Sequence, residues 1–190
     1  MIQGVPSLVK SPILLVGPAF SGKTDLAPRY LRPDQTAMVL GTALAVDSIS
    51  QRRIAGLKAL RPAAWESIDV GHDLLTALDA LPANVNQVLI DSTSQWLANL
   101  LVQGELSEGE EETRLELGLS RIEEVVRWFQ QTTKRVVIVS GEIGAGPAPS
   151  RPLERLFRQL VGNANQRFAS LAGTVVAVTA GIPYTIKAMV

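Results

Sequence analysis

Short runs of aliphatic, often β-branched residues alternate along this chain with longer stretches whose apolar positions recur at helical spacing. The runs at 13–16, 37–40, 88–90, 136–139 and 175–178 are continuously apolar, as expected of strands buried on both faces of a parallel sheet. A further short strand is predicted at 65–70. Helices are predicted at 24–31, from about 49 to 60 (closed by Arg61-Pro62), at 74–81 (with Pro82 and Asn84 as breakers), at 95–102, at 114–132 and at 153–171. The 114–132 helix carries Leu115, Leu119, Ile122, Val126 and Phe129 along one stripe. Residues 104–112 are locally acidic and read as a solvated loop or helix start; the Gly- and Pro-rich residues 141–152 must be a loop. The run at 175–178 is the last clear strand.

Strands alternating with helices imply the α/β class, a mostly parallel sheet with helices on both faces. In such sheets ligands bind beyond the carboxyl ends of the strands. Residues 17–24, Asp91 and the 141–152 loop all follow predicted strands, so all three lie at such ends.

Composition narrows the partners. With 190 residues and 46% hydrophobic content, residues 1–190 read as a single domain with a substantial core. Formal net charge is zero and no long basic stripe is present, which argues against a nucleic-acid partner. The absence of cysteine excludes disulfides and thiolate metal sites, and agrees with a reducing compartment. No stretch approaches the ~20 apolar residues of a membrane span, and the N-terminal residues lack the pattern of a signal peptide. A cytoplasmic enzyme is the expectation.

The candidate chemistry starts at the first strand's end. Gly17, Pro18, Ala19, Phe20, Ser21, Gly22, Lys23 and Thr24 match the phosphate-binding pattern G-x-x-x-x-G-K-[ST] in full, between a predicted strand and a predicted helix. Glycines let successive N–H groups turn inward around a phosphate, and the helix start adds partial positive charge. Lys23 would reach the β- and γ-phosphates, and the Thr24 hydroxyl would sit on Mg²⁺. The architecture expected of such a loop is that of a P-loop NTPase, RecA-like, binding ATP or GTP.

Asp91 ends an apolar strand, the usual place of the second contributor to a Mg²⁺ site in phosphate-loop enzymes; it could equally cap the helix that follows. Glu142 stands just after the 136–139 strand, where a carboxylate could order a water, a metal or a substrate hydroxyl, or be a plain loop charge. His72 is the single histidine, so no two-histidine metal site can form; a solvated helix start competes with a role as base or nucleophile. Arg155 and Arg158, with Arg151, set cations near the Gly/Pro loop, where they could hold a phosphate or line a solvated helix face.

Taken in order, these features resemble one family, adenosylcobinamide kinase/adenosylcobinamide-phosphate guanylyltransferase, over residues 13–187. The similar stretches are Gly17 to Thr24, Arg53-Ile54 with Arg61-Pro62 and Trp65, Asp91-Ser92-Thr93 with Trp96-Leu97 and Asn99-Leu100-Leu101, Gly141-Glu142-Ile143-Gly144, Arg155-Leu156-Phe157-Arg158, Asn163-Ala164-Asn165-Gln166, and Gly181-Ile182-Pro183 with Lys187. The resemblance implies a kinase that phosphorylates the aminopropanol hydroxyl of adenosylcobinamide with ATP or GTP, in cobalamin biosynthesis. It implies a second reaction that moves GMP from GTP onto that phosphate through a guanylylated histidine. It also implies Lys23, Asp91 and Glu142 as catalytic, Thr24 and Asp91 as Mg²⁺ ligands, Arg61, Arg155 and Arg158 as substrate or phosphate contacts, and a ring-like homotrimer.

This chain departs from the pattern at chosen points. The guanylylated histidine corresponds to Leu57, and its neighbour, often also histidine, to Gly56. Ile49 replaces a glutamate, although Asp47 remains; Gly141 replaces an Asn and Gln159 an Asp. Leucine has no nucleophilic nitrogen, so the covalent guanylyl route has no attacking atom at position 57. The leading reading is therefore a nucleoside-triphosphate-dependent kinase acting on adenosylcobinamide. A non-catalytic nucleotide-binding sensor, and a phosphate-loop kinase with a different acceptor, are the alternatives.

Overall fold

The computed structural model describes residues 9–43, 52, 55–56, 58–59 and 62–189. Strand β1 (Ile13–Gly17) runs into the glycine loop and a short helix α1 (Lys23–Leu26), then a 3₁₀ helix (Ala27–Tyr30). There follow β2 (Ala37–Gly41), β3 (Trp65–Asp69), α2 (Leu74–Asp79), β4 (Gln87–Asp91), α3 (Thr93–Val102), α4 (Glu111–Gln131), β5 (Arg135–Gly141), α5 (Pro152–Leu171), β6 (Thr174–Thr179) and β7 (Ile182–Ala188). The strands form one seven-stranded sheet in the order β3-β2-β4-β5-β1-β6-β7. All neighbours pair in parallel except β7, which is antiparallel to β6. The α/β, mostly parallel architecture expected from the sequence is the one observed.

The central strands are buried on both faces, which is why their runs lack alternation. Leu14, Leu40, Val88, Ile90, Val136 and Ile138 face the layer built by α2 to α5. Ile13, Leu15, Val39, Leu89, Val137 and Val139 face the opposite layer, with Leu26, Tyr30 and Leu31 from the short helices. The larger layer is organised around Phe168, wholly buried, whose ring meets Phe129 edge-on at 5.4 Å. Lys187 of β7 donates to the Ala169 and Ser170 carbonyls at the end of α5, tying the edge strand to that layer.

Two elements differ from expectation. The single helix at 24–31 is an α turn followed by a 3₁₀ turn, because Pro28 has no N–H to give the carbonyl of Thr24. Strand β7 went unanticipated: Pro183 breaks up the alternating apolar positions Ile182, Tyr184 and Ile186, and is tolerated because β7 is an edge. It is joined to β6 by a two-residue turn with Ala180 and Gly181 at φ 52° and 78°, the left-handed pair a tight hairpin needs. The acidic stretch resolves into turns up to Glu110; Glu111 and Glu112 form the first turn of α4, where the helix dipole favours them. The helix expected from about 49 to 60 falls largely outside the described residues, of which Arg52, Ala55, Gly56, Lys58 and Ala59 are helical. Among the described residues no helix is long and apolar enough to cross a membrane.

Phe168→Ala removes a ring that no water can replace. It should lower unfolding free energy by about 3–5 kcal/mol, read as a shifted midpoint in urea with little change in slope.

Candidate active site at the carboxyl edge of the sheet

The glycine loop leaves β1 between its neighbours β5 and β6, and its shape follows from close contacts. A Cβ at Gly17 would lie 2.2 Å from the Val178 carbonyl oxygen, so only glycine fits there. Gly22 has φ 94° and passes Gly181, whose N–H donates to the Ser21 carbonyl at 2.8 Å. Phe20 holds φ 57°, a left-handed conformation that costs a non-glycine residue about 1 kcal/mol or more.

Lys23 is buried at the loop's centre and folds back on it, donating to the Pro18 carbonyl at 2.6 Å and to Ser21 Oγ at 3.3 Å. Burial holds its ammonium below the usual lysine range, and the nearby Asp91 carboxylate pulls the other way. Those two bonds are the ones a phosphate oxygen would replace. Beside the lysine, Thr24 Oγ1 donates to Asp91 Oδ1 at 3.1 Å. A hydroxyl and a carboxylate side by side make a hard-oxygen pair of the kind Mg²⁺ takes from a protein while keeping waters and substrate oxygens for its other positions.

Asp91 is fixed from behind. Thr42 Oγ1 donates to the Ser92 carbonyl and accepts from the Ser92 N–H, both at 2.8 Å, while the Thr42 N–H donates to the Asp91 carbonyl at 3.0 Å. The buried Asn99 amide donates to the Thr42 carbonyl at 2.7 Å. The capping role open to Asp91 belongs instead to Ser92, whose Oγ accepts from the Gln95 N–H at 3.3 Å. Ser94 Oγ accepts the Gly141 N–H at 3.0 Å and Asn165 Nδ2 donates to the Gly141 carbonyl at 2.9 Å, so the ends of β4 and β5 are laced together.

These groups line one cleft of about 430 Å³, whose walls include Lys23, Thr24, Asp91, Gly141, Ile143 and Phe157. The structure thus brings the loop and Asp91 together. Glu142 lies between two lining residues, but its own carboxylate is exposed and accepts from the Gly144 N–H at 2.6 Å. The Glu142 N–H donates to the Gly17 carbonyl at 2.8 Å, joining the loop after β5 to the loop after β1. Arg158 is spent on the Gly/Pro loop, donating to the Pro147 carbonyl at 2.7 Å, the Gly146 carbonyl at 2.8 Å and the Gly144 carbonyl. Arg155 donates to the Ser150 carbonyl at 2.6 Å. Both arginines fasten the loop beside the cleft, and neither lines it. Arg61 and Leu57, with Asp47 and Ile49, lie outside the described residues.

His72 belongs to a different cleft of about 750 Å³ between α2, α3 and α4, with Glu105, Arg121 and Glu124. The two clefts share no lining residue. Sequence reading missed Thr42 and Ser94 as parts of the site, for which the only signal was position, just past β2 and on the first turn of α3. It named Phe157 and Asn165, both on α5, only within the family-like stretches and gave them no role.

The comparisons with known proteins agree with this geometry. A profile of the family described as Cobinamide kinase / cobinamide phosphate guanyltransferase matches residues 13–186. The bifunctional adenosylcobalamin biosynthesis protein CobU of Salmonella typhimurium is 30% identical over 179 residues, spanning 92% of this chain and 99% of its own. The bifunctional adenosylcobalamin biosynthesis protein CobP of Pseudomonas aeruginosa is 32% identical over 177 residues, spanning 92% and 96%. The CobU protein of Escherichia coli is 28% identical over 180 residues. Among solved structures, an ATPase from the type III secretion system of pathogenic bacteria matches 91% of this chain with a TM-score of 0.53 and 8% identity. This chain spans 56% of that one, and the likeness is one of fold.

Lys23→Ala should abolish most binding of Mg²⁺–nucleotide in calorimetry, because it removes the one mobile cation of the loop. In the native protein, affinity should weaken as pH rises, with a midpoint below that of an ordinary lysine: burial favours the neutral amine, so the charge that holds phosphate is lost early. Unchanged affinity in the variant would overturn the phosphate-loop assignment.

Proposed function

This chain belongs to the cobinamide kinase / cobinamide phosphate guanyltransferase family, and we propose that it performs the kinase reaction of that pair and not the guanylyl transfer. In this reading it moves the γ-phosphoryl group of ATP or GTP to the aminopropanol hydroxyl of adenosylcobinamide. The observation that carries the reading is the 3.1 Å contact of Thr24 Oγ1 with Asp91 Oδ1, beside a buried lysine.

Phosphoryl transfer asks a protein for positioning and charge stabilisation more than for covalent chemistry. The N–H groups of the loop, Pro18 excepted, would cradle the phosphates. Lys23, released from Pro18 and Ser21, would place its charge on the β- and γ-oxygens. Thr24 and Asp91 would hold Mg²⁺, which supplies further neutralising charge where negative charge develops. The acceptor oxygen forms a bond to the γ-phosphorus as the bond to the β-phosphate oxygen breaks. Glu142 stands one residue from the cleft wall on either side; freed from the Gly144 amide, its carboxylate would orient the hydroxyl and take its proton. Arg155 and Arg158 act in this reading by holding the Gly/Pro loop in place, and Arg61 would contribute from the β2–β3 connection. The family resemblance further supports a homotrimer.

The direct test is phosphorylation of adenosylcobinamide by the purified protein with Mg²⁺ and labelled ATP or GTP. Asp91→Asn should lower turnover by about a hundredfold or more while weakening nucleotide binding much less, since the carboxylate matters most as the transition state forms. No product with either nucleotide would transfer the assignment to a sensor or to another acceptor.

Guanylyl transfer should be absent. Leu57 offers no lone pair, and His72 lines a separate cleft. Intact-mass spectrometry after GTP and Mg²⁺ should find no added GMP. An adduct that disappears in His72→Ala would show that the nucleophile had moved.

A further inference from the structure

Phe20 is the residue that the phosphate-loop chemistry leaves unexplained. Its backbone N–H belongs to the phosphate cradle, but its side chain does nothing there: the ring is 96% exposed, more than any other large apolar side chain among the described residues. It is also held in a left-handed conformation that glycine would adopt without strain. The chain therefore presents a phenyl ring to solvent at the rim of the cleft, at a backbone position that disfavours side chains. An arrangement unfavourable in both respects points to something that covers the ring in the working protein.

The cleft says on which side. Gly17 and Gly22 turn toward Val178 and Gly181 on the β6 side of the loop. Phe20 lines the same cleft as Ile143 after β5 and Phe157 on α5, which stand on the β5 side. The same cleft holds Asp91 and Thr24, the pair that would mark where the γ-phosphate end lies. An acceptor attacking in line approaches the γ-phosphorus from the side away from the leaving diphosphate. The apolar rim thus borders the acceptor's path.

We infer that Phe20, with Ile143 and Phe157, forms the seat for the acceptor, and that Phe20 is a specificity-determining residue selecting an alcohol carried on a large ring system with an apolar face over small polar alcohols. This rests on the kinase reading above and adds to it the residues that recognise the acceptor's body. The ring would be covered by the acceptor's apolar face, while the acceptor's hydroxyl reaches Glu142 and the γ-phosphate.

The test is equilibrium dialysis of adenosylcobinamide, followed by its visible absorbance, against the full chain loaded with Mg²⁺ and a non-hydrolysable ATP analogue. Phe20→Ala should weaken acceptor binding by about tenfold or more. That loss should exceed the loss in nucleotide affinity, because alanine keeps the backbone N–H. Phe20→Tyr should restore most of the difference. If wild type and Phe20→Ala bind adenosylcobinamide equally, this inference falls and the kinase reading stands. If nucleotide affinity drops as much as acceptor affinity, the ring covers the nucleotide and the inference is overturned. If Phe20→Ala instead changes the oligomeric state in sedimentation, a second copy covers the ring and the inference is again overturned. If wild type binds nucleotide but no adenosylcobinamide, the acceptor reading itself fails, and the seat fails with it.

Discussion

The position of β1 between β5 and β6 is the constraint on which the rest of the molecule depends. Thr24 and Asp91 are 67 residues apart in sequence, and their 3.1 Å contact exists because β1, β5 and β4 lie side by side in parallel. Gly17 registers with Gly141, and Asp91 with Val139, so the three carboxyl ends stop at one edge. The register cannot drift. Each of these strands is buried on both faces, and a slip by one residue would exchange the side chains of two differently shaped cores. Aliphatic packing in the middle of the sheet thus holds polar atoms at its rim to within hydrogen-bond distance.

Behind the cleft, the rim is stiffened by polar groups rather than by packing. Thr42, from β2's end, takes three hydrogen bonds from or to the Asp91–Ser92 segment and is itself held by Asn99. In a low-dielectric interior such satisfied bonds are strong, and an unpaired partner would be costly. Ser94 and Asn165 do the same for Gly141. In the proposed reaction, Asp91 would then need no reorganisation to hold a metal. Lys23 would be the part that moves, and its internal bonds to Pro18 and Ser21 keep its buried ammonium hydrogen-bonded meanwhile.

How much of this could be read in the sequence depends on what each residue's role leaves behind in the pattern. The five buried strands were legible because burial on two faces forces continuous aliphatic runs. The loop was legible because a phosphate cradle forces glycines and a lysine at fixed spacing. Strand β7 was not, because an edge strand needs only one covered face and admits Pro183. The split of the first helix was written in Pro28 but easily overlooked beside the apolar residues around it. Thr42 and Ser94 leave no pattern, since a hydrogen bond across the sheet depends on strand order, which no local window contains. Arg155 and Arg158 illustrate the reverse: cations near a phosphate site invite a phosphate-binding reading, yet loop carbonyls occupy them.

The same topology makes the parts of the proposed kinase site hard to change without disturbing the fold. The groups that a kinase needs stand at the ends of β1, β4 and β5, strands whose positions are enforced by the two cores. Position 57 lies in the connection from β2 to β3, and β3 is the outermost strand of the sheet, exposed over much of its length. Substituting Gly17 would drive a side chain into the Val178 carbonyl, and substituting Asp91 would leave Thr24 without the acceptor it donates to. The phosphate loop is thus guarded by packing as well as by whatever chemistry it serves.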